Sequence, residues 1–174
     1  RFYNSYLYTS GGKEILDYFL SRKLTHNTIK HFGLGASPDS WDALLKHLKA
    51  KGYTENEMLN ANVIMRNSKG GYYDRFRNRA MFPIIDLRGN VIAFGGRALP
   101  GQDNKGAKYI NTSDTPVFKK SQNLYALNFA KNNCSKRILL AEGYMDVIAL
   151  HQAGITNVVA ALGTAFTEEH AVLL

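Results

Sequence analysis

Apolar and polar positions in the first third of the chain repeat at helical spacing. Residues 12–22 (GKEILDYFLSR) and 41–51 (WDALLKHLKAK) each place apolar side chains at i, i+3 and i+4. Ser40 stands where a side-chain cap would begin the second helix, and residues 54–57 have the threonine-to-glutamate spacing of a capping box. We therefore predict a helical scaffold over residues 2–65.

The pattern changes from about residue 72, where apolar positions begin to alternate as they do in strands. Residues 81–99 contain two β-rich runs around the turn sequence at 88–90, which predicts a hairpin. Residues 107–114 indicate a further strand that ends in a polar turn. Residues 121–133 return to helical spacing, which predicts a helix with Leu124, Leu127 and either Phe129 or Ala130 facing inward.

The last part of the chain alternates between the two kinds of element. We predict strand, helix, strand and helix, at residues 137–141, 144–153, 157–161 and from about Thr167. Short links between such elements are typical of a parallel sheet covered by helices. The predicted fold class is thus α/β: an α+β subdomain over 1–134 and the beginning of a parallel α/β sheet over 135–174. The sheet has barely begun where the sequence stops, so we expect a truncated chain.

Composition excludes several classes of protein. The 174 residues are 45% apolar and include a single cysteine, which rules out an internal disulfide and a cysteine zinc cluster. We therefore expect a reduced, cytoplasmic setting and no zinc in these residues. No run approaches the 18 uncharged apolar residues of a membrane span, so no membrane partner is expected.

Charge is distributed unevenly along the chain. Residues 1–65 have a net charge of +2, residues 66–137 of +10 and residues 138–174 of −4. A basic block of this density favours a polyanionic partner such as nucleic acid or nucleotide phosphate. A solvated surface is the alternative, although such surfaces usually mix both signs.

Two carboxylates follow the apolar run at 137–141, which we predict to be a buried strand. Glu142 ends the strand, Gly143 permits a tight turn, and Asp146 lies in the first turn of the next helix. Ligands of open α/β sheets bind beyond the carboxyl ends of the strands, and Mg²⁺ prefers carboxylate oxygens. We expect Glu142 to be partly desolvated. The alternatives are a solvated strand end for Glu142 and a helix-dipole partner for Asp146.

The second strand of the pair ends in a similar way. The sequence VVAALGT opens on Gly163 and Thr164 at the start of a predicted helix, which is another natural place for an anion.

At this point the residues resemble a known family. LLAEGYMDVIAL resembles the opening motif of the Toprim fold, which primases, topoisomerases, recombination proteins and some nucleases share. The segments YYDRFRNRAMFPIIDLRGNVIAFGGRAL, KYINTSDTPVFKKSQNLYAL, EGYMDVIAL and ALGTA together resemble, in that order, the RNA polymerase core of bacterial replicative DNA primases. The similarity is dense over 72–174 and looser over 1–71.

The resemblance implies a catalytic role for the carboxylates. Primases of this family make short RNA primers on single-stranded DNA by metal-dependent nucleotidyl transfer. Glu142 would be either a Mg²⁺ (or Mn²⁺) ligand or the base for the primer 3′-hydroxyl, with Asp146 and Gly143 in the same pocket. The family's D-x-D motif, which completes the metal site, should follow residue 174. We therefore expect weak Mg²⁺ binding and no polymerase activity from these residues alone.

Three arginines stand two residues apart. If their segment is extended, Arg75, Arg77 and Arg79 point the same way and form one face for template or nucleotide phosphates. The alternative is an exposed, charged strand edge.

The resemblance adds further residues to the nucleotide and template groove. These are Arg97, Lys108, Tyr109, Asn111 and Lys120, with Lys119 left open because either lysine of the pair could face inward. Asn111 and Tyr109 would hold ribose or base. Their alternative is ordinary turn chemistry before Ser113 and Asp114.

Single-stranded DNA and ribonucleoside triphosphates are the partners that the resemblance implies. It also implies the replicative helicase, bound through a region outside this chain. Two other functions stay open: a Toprim nuclease or topoisomerase, and a non-catalytic module that binds single-stranded nucleic acid. A topoisomerase needs a nucleophilic tyrosine, and none stands in a recognisable context.

Overall fold

The structure, a computed structural model, describes residues 1–101, 106–133, 137–163 and 165–174. The helices are α1 (Phe2–Leu7), α2 (Lys13–Ser21), α3 (His26–His31), α4 (Ala43–Lys49), α5 (Glu55–Asn60), α6 (Leu127–Ala130), α7 (Tyr144–Gln152) and α8 (Glu168–Val172). The strands are β1 (Gly35–Ser37), β2 (Ile64–Arg66), β3 (Tyr72–Asp74), β4 (Arg79–Ile85), β5 (Val91–Ala98), β6 (Tyr109–Asn111), β7 (Leu139–Ala141) and β8 (Val158–Ala160). The predicted class, an α+β part followed by the start of a parallel sheet, is confirmed.

The helix starts in the first third are set by capping groups. The capping box of α5 is confirmed, since Thr54 and Glu57 bind each other's backbone N–H groups. Ser40 as the cap of α4 is wrong. The helix begins at Ala43, and the carboxylate of Asp74 accepts hydrogen bonds from the N–H groups of Leu44 and Leu45, at 2.7 and 2.9 Å. A residue thirty positions away thus caps this helix, which spacing within the helix could not reveal.

The main sheet has the strand order β1-β4-β5-β6, with every neighbouring pair antiparallel. The predicted hairpin is confirmed as β4 and β5, and Gly89 at its turn has a φ of +90°, which favours glycine. Phe82 and Gly95 lie opposite each other on the face toward the C-terminal part of the chain. Met81 and Phe94 lie on the other face, in a cluster with Tyr3 and Phe76.

One hydrophobic cluster joins the main sheet to the C-terminal part. It runs from helix α2 through Phe82 and Ile84 to Val147 of α7 and Val158 of β8. Side chains of this size stabilise a fold by about 1.5–3 kcal/mol each when fully buried. The carboxyl ends of β7 and β8 are therefore held at a fixed place relative to the sheet.

The predicted parallel pair is confirmed, but its burial differs from expectation. β7 pairs in parallel with β8, and α7 connects them. β8 is fully buried, whereas Leu139 and Leu140 of β7 are 41% and 52% exposed. Within the described residues β7 has a strand neighbour on one side only. The prediction of a buried strand before Glu142 is therefore wrong for this chain.

The helix predicted over 121–133 is much shorter than expected. Only α6 forms, because Ala126 adopts a left-handed φ of +63° and Tyr125 exchanges backbone hydrogen bonds with Ala160 of β8. Leu124, Leu127 and Ala130 are nevertheless buried, so the inward positions are confirmed and Ala130 rather than Phe129 completes the set. Pairing with β8 overrides the helical pattern here.

In the residues that the structure describes, no helix has the length and apolar character needed to cross a membrane. The predicted boundary between residues 134 and 135 lies outside the described residues, as does Thr164, so both stay predictions.

Candidate active site and nucleic-acid interface

The acidic edge consists of Glu142, Gly143 and Asp146, at the point where β7 passes into α7. Gly143 is the N-cap of α7 and Asp146 lies in its first turn, where a carboxylate is favoured by the helix dipole. Both carboxylates are exposed, and neither makes a hydrogen bond or an ion pair within the described part of the chain. The expected desolvation of Glu142 is therefore wrong. Both groups are available to an external cation.

The residues present fit part of a Mg²⁺ site and no more. A β-carbon added to Gly143 would lie 3.6 Å from Oδ2 of Asp146, so this carboxylate lies beside the turn that follows Glu142. Mg²⁺ typically takes one or two protein carboxylates and fills its other positions with water and phosphate oxygens. Among the described residues, no group of three or more His, Cys, Asp or Glu side chains could hold a metal ion.

The basic cleft is lined by Arg75, Arg77 and Arg79. Their segment is not an extended strand, because β3 ends at Asp74, β4 begins at Arg79, and Asn78 between them has a φ of +48°. The prediction that an extended strand points these three arginines in the same direction is therefore wrong. All three nevertheless border one polar cleft of about 240 Å³.

The fold itself uses the guanidinium groups of these arginines. Arg75 donates from Nη2 to the carbonyl of Asn111 at 2.8 Å. Arg77 donates to the carbonyl of Asp74 at 2.6 Å, and Arg79 to that of Ala107 at 2.9 Å. Burial lowers the pKa of the Arg75 guanidinium from its ordinary value.

An aromatic platform adjoins the basic cleft, and the sequence pattern did not reveal it. The guanidinium of Arg77 lies 4.0 Å from the ring centre of Trp41 and 5.2 Å from that of Tyr73. The indole is 65% exposed. An exposed tryptophan stacked on an arginine resembles the surfaces on which unpaired bases stack. The prediction placed Trp41 at the first position of the helix over 41–51, whereas the helix begins at Ala43 and leaves the tryptophan outside it.

A second group of the predicted residues lies along β6. The guanidinium of Arg97 is 5.0 Å from the ring centre of Tyr18 and 5.5 Å from that of Tyr109. The ring of Tyr109 lies 6.1 Å from that of Tyr144, the first residue of α7. The Tyr144 hydroxyl donates to Oδ1 of Asn111 at 2.8 Å. The end of β6 is therefore in direct contact with Tyr144, which lies between Gly143 and Asp146 of the acidic edge.

The predicted lysines have different surroundings. Lys108 is exposed, and its carbonyl accepts a hydrogen bond from the N–H of Ala98 at 2.9 Å. The carbonyl of Lys120 lies 2.8 Å from Nε2 of the buried His170 in α8, and Lys119 is exposed. Nucleotide binding by these lysines, and a pocket shared by Lys108, Asn111 and Gly143, stay predictions.

A larger cleft, of about 740 Å³, lies between α1, α4 and the main sheet. Its lining is mainly apolar and includes Leu44, Met58 and Phe94, and it contains none of the predicted site residues. The volume of a cleft alone therefore does not identify the candidate site, whereas the charged residues do.

Comparison with known proteins divides the chain in two. Residues 136–174 match the Toprim domain, so this part of the chain is of the Toprim class. Residues 2–131 match the N-terminal domain of the DNA primase catalytic core, and this match covers more than half of the chain. The chain belongs to the DNA primase family. The Toprim family implies that its members depend on a metal ion.

Individual relatives and solved structures agree with this assignment. The chain is 52% identical over 158 residues to the DNA primase of Clostridium acetobutylicum, covering 90% of this chain and 26% of that protein. It resembles the RNA polymerase domain of Mycobacterium tuberculosis primase DnaG, in complex with double-stranded DNA with a 6-nucleotide overhang. That match has a TM-score of 0.92 and 37% identity, over 99% of this chain and 54% of that one.

A DnaG primase catalytic domain bound to single-stranded DNA matches with a TM-score of 0.89 and 41% identity, over 99% of this chain and 56% of the other. The chain thus spans about a quarter of the length of the curated relative and about half of each solved domain.

Proposed function

We propose that this chain is part of a DNA primase that makes short RNA primers on single-stranded DNA by metal-dependent nucleotidyl transfer. One observation carries the proposal: two exposed carboxylates at the end of a parallel strand adjoin, through Tyr144 and Asn111, a subdomain lined with arginines. Phosphates and a cation can then be held side by side. Family membership and the structural relatives support the same reaction.

Glu142 and Asp146 would hold Mg²⁺ or Mn²⁺, together with carboxylates from beyond residue 174 in the whole protein. The bound ion would supply charge stabilisation at the phosphate under attack. The contribution of this chain is to present both carboxylates at one turn, unpaired with any cation of the described residues. Glu142 acts as a metal ligand in this proposal because its exposure suits coordination better than proton abstraction.

The basic cleft would hold the template. Arg75, Arg77 and Arg79 border this cleft and would contact backbone phosphates, which position a strand without reading its sequence. Trp41 would stack on a template base. Arg97, Tyr109, Lys108 and Lys120 would contact the incoming nucleotide. The DNA-bound relatives support nucleic acid as the partner.

Further partners are proposed for the whole protein. A replicative helicase would bind through a region outside this chain, and the cytoplasm would be the place of action. The family resemblance supports both statements.

The test is a substitution at Glu142 in the full-length protein. Glu142→Gln keeps the shape of the side chain and removes its charge, so primer synthesis should fall by at least about 100-fold. Affinity for a single-stranded DNA oligomer, measured by fluorescence anisotropy, should stay within about twofold because the basic cleft is unchanged.

Glu168→Gln is the matched control, since Glu168 is an exposed glutamate in the first turn of α8. It should leave primer synthesis unchanged. Parent-level synthesis by Glu142→Gln would overturn the catalytic assignment of Glu142, whereas an absence of primer synthesis by the parent protein itself would favour a module that only binds single-stranded nucleic acid.

A further inference from the structure

Asn111 is a meeting point for three separate segments. Its carbonyl accepts from Arg75 at 2.8 Å, its Oδ1 accepts from the Tyr144 hydroxyl at 2.8 Å, and its Nδ2 donates to the carbonyl of Leu162 at 3.0 Å. Tyr144 lies between Gly143 and Asp146 of the acidic edge, and Leu162 lies two residues after β8. One side chain at the end of β6 therefore binds the segments that follow both parallel strands.

Tyr144 is held firmly by its surroundings. Its ring stacks on Phe82 with centres 5.1 Å apart and an interplanar angle of 14°, and it meets Tyr125 edge-on at 4.6 Å. The residue is 5% exposed.

Two glycines leave space for this arrangement. A β-carbon on Gly95 would lie 2.7–2.8 Å from the ring atoms of Tyr144, and one on Gly163 would lie 2.8 Å from Nδ2 of Asn111. Gly163 also has a φ of +76°, which favours glycine. The first glycine of the GGR segment is thus explained by the packing of Tyr144.

We propose that Asn111 and Tyr144 are positioning residues: their hydrogen bonds fix the acidic edge and the segment after β8 against the end of β6 and, through Arg75, the basic cleft. This inference rests on the proposed function, because it assigns the catalytic carboxylate to Glu142. It also revises the role given to Asn111. Both ends of the Asn111 amide are engaged within the protein, so it holds the site together rather than binding ribose or base.

The test compares two tyrosines in the same aromatic group. Tyr144→Phe removes the hydroxyl that binds Asn111 and keeps the ring. Tyr125→Phe is the matched control, because the buried Tyr125 hydroxyl has no hydrogen-bond partner within the described residues. Asn111→Ala and the double variant that combines Asn111→Ala with Tyr144→Phe complete a double-mutant cycle. Steady-state primer synthesis in the full-length protein gives kcat and the KM for nucleotide, with DNA affinity and thermal unfolding measured alongside.

Small misplacements of a catalytic group have large effects on rate. We expect kcat to fall about tenfold in Tyr144→Phe and in Asn111→Ala, with KM for nucleotide and DNA affinity within about twofold. The double variant should be no slower than Asn111→Ala, because both substitutions break the same contact. Tyr125→Phe should match the parent.

Two results would overturn the inference. One is equal kcat for Tyr144→Phe and Tyr125→Phe, which decides the question even if Asn111→Ala fails to fold. The other is a raised KM for nucleotide in Asn111→Ala with parent-like kcat, which makes Asn111 a nucleotide ligand. Glu142→Gln, assayed in parallel, separates this inference from the catalytic assignment on which it rests: if the variant is active, the role of Glu142 fails, and if it is inactive, only the positioning role is in question.

Discussion

The acidic edge and the basic cleft differ in how far the fold uses their charged groups. Glu142 and Asp146 are exposed, and their carboxylates have no bonded partner within the described residues. Arg75 and Arg79, by contrast, are partly buried and donate to carbonyl groups of neighbouring segments. Charge alone therefore does not predict what a side chain contributes to the fold.

Because of this difference, substitutions in the acidic edge and in the basic cleft should have different consequences. Removing a carboxylate from the acidic edge should change the chemistry and have little effect on stability. Removing an arginine from the basic cleft should lower both affinity for DNA and the free energy of unfolding, since backbone carbonyls of neighbouring segments lose their donors. The predictions below test that separation.

The largest effect is expected at Asp146. Asp146→Asn in the full-length protein should lower primer synthesis by about 10–100-fold, the usual cost of disturbing a group that supports a metal site. The thermal midpoint should fall only slightly, because the substitution removes a small helix-dipole contribution but no hydrogen bond or ion pair within the described residues. A markedly lower midpoint with parent-like synthesis would show that Asp146 stabilises α7 instead.

Arg79 should show the opposite behaviour. Arg79→Ala removes donors from the carbonyls of Gly96, Ala107 and Lys108, so the free energy of unfolding should fall by about 1–3 kcal/mol. Urea denaturation of this chain measures it. Arg88→Ala, at the exposed hairpin turn, is the control and should change the free energy by less than about 0.5 kcal/mol. Equal effects of the two substitutions would contradict the structural role of Arg79.

Trp41 and Arg77 allow stacking to be separated from charge. Trp41→Ala should weaken single-stranded DNA binding about tenfold without changing its salt dependence, because no charge is lost. Arg77→Ala should reduce the salt slope by about one. Tyr53→Ala, at another exposed aromatic residue, should have neither effect. Anisotropy titrations at several salt concentrations distinguish these outcomes, and a changed slope for Trp41→Ala would refute the stacking role.

The smallest effect concerns His151, which lies near His31, where α7 approaches α3. Burial lowers the pKa of His151 from 6.5, and the charge of His31 lowers it further. The hydrogen bond to the Val158 carbonyl acts in the opposite direction. The folded state therefore favours the neutral ring. This stability is fully present above about pH 6.5 and is lost as the pH falls toward the folded-state pKa.

Urea midpoints at pH 7.5 and 5.5 provide the measurement for His151. His151→Gln should lose less stability between these two pH values than the parent does. Identical pH dependence of the two proteins would show that His151 does not contribute.

Local patterns were predicted well from the sequence, and long-range contacts were not. The capping box at Thr54, the hairpin and the parallel pair around Glu142 each follow from residues close together in the chain. Asp74 caps a helix thirty residues away, and Tyr125 pairs with β8 instead of extending α6. The spacing of residues within one helix or strand cannot reveal such long-range contacts.

The site was predicted by residue type more than by geometry. Arginines at alternate positions suggested a strand, yet the bend at Asn78 and three different carbonyl partners bring them to one cleft. Tyr144 stood inside the EGYMD segment beside both carboxylates and was not recognised, because its partner Asn111 is thirty-three residues away.

The central claim is that the acidic edge and the end of β6 form one site. Iron-directed cleavage tests it most directly: Fe²⁺ replaces Mg²⁺ in the full-length protein, and hydroxyl radicals generated with ascorbate and peroxide cut the backbone near the ion. We expect cuts at residues 109–111 and 142–146 that excess Mg²⁺ and Glu142→Gln both suppress, and none at the hairpin turn, residues 86–90. Cleavage at 142–146 without cleavage at 109–111 would contradict the shared site.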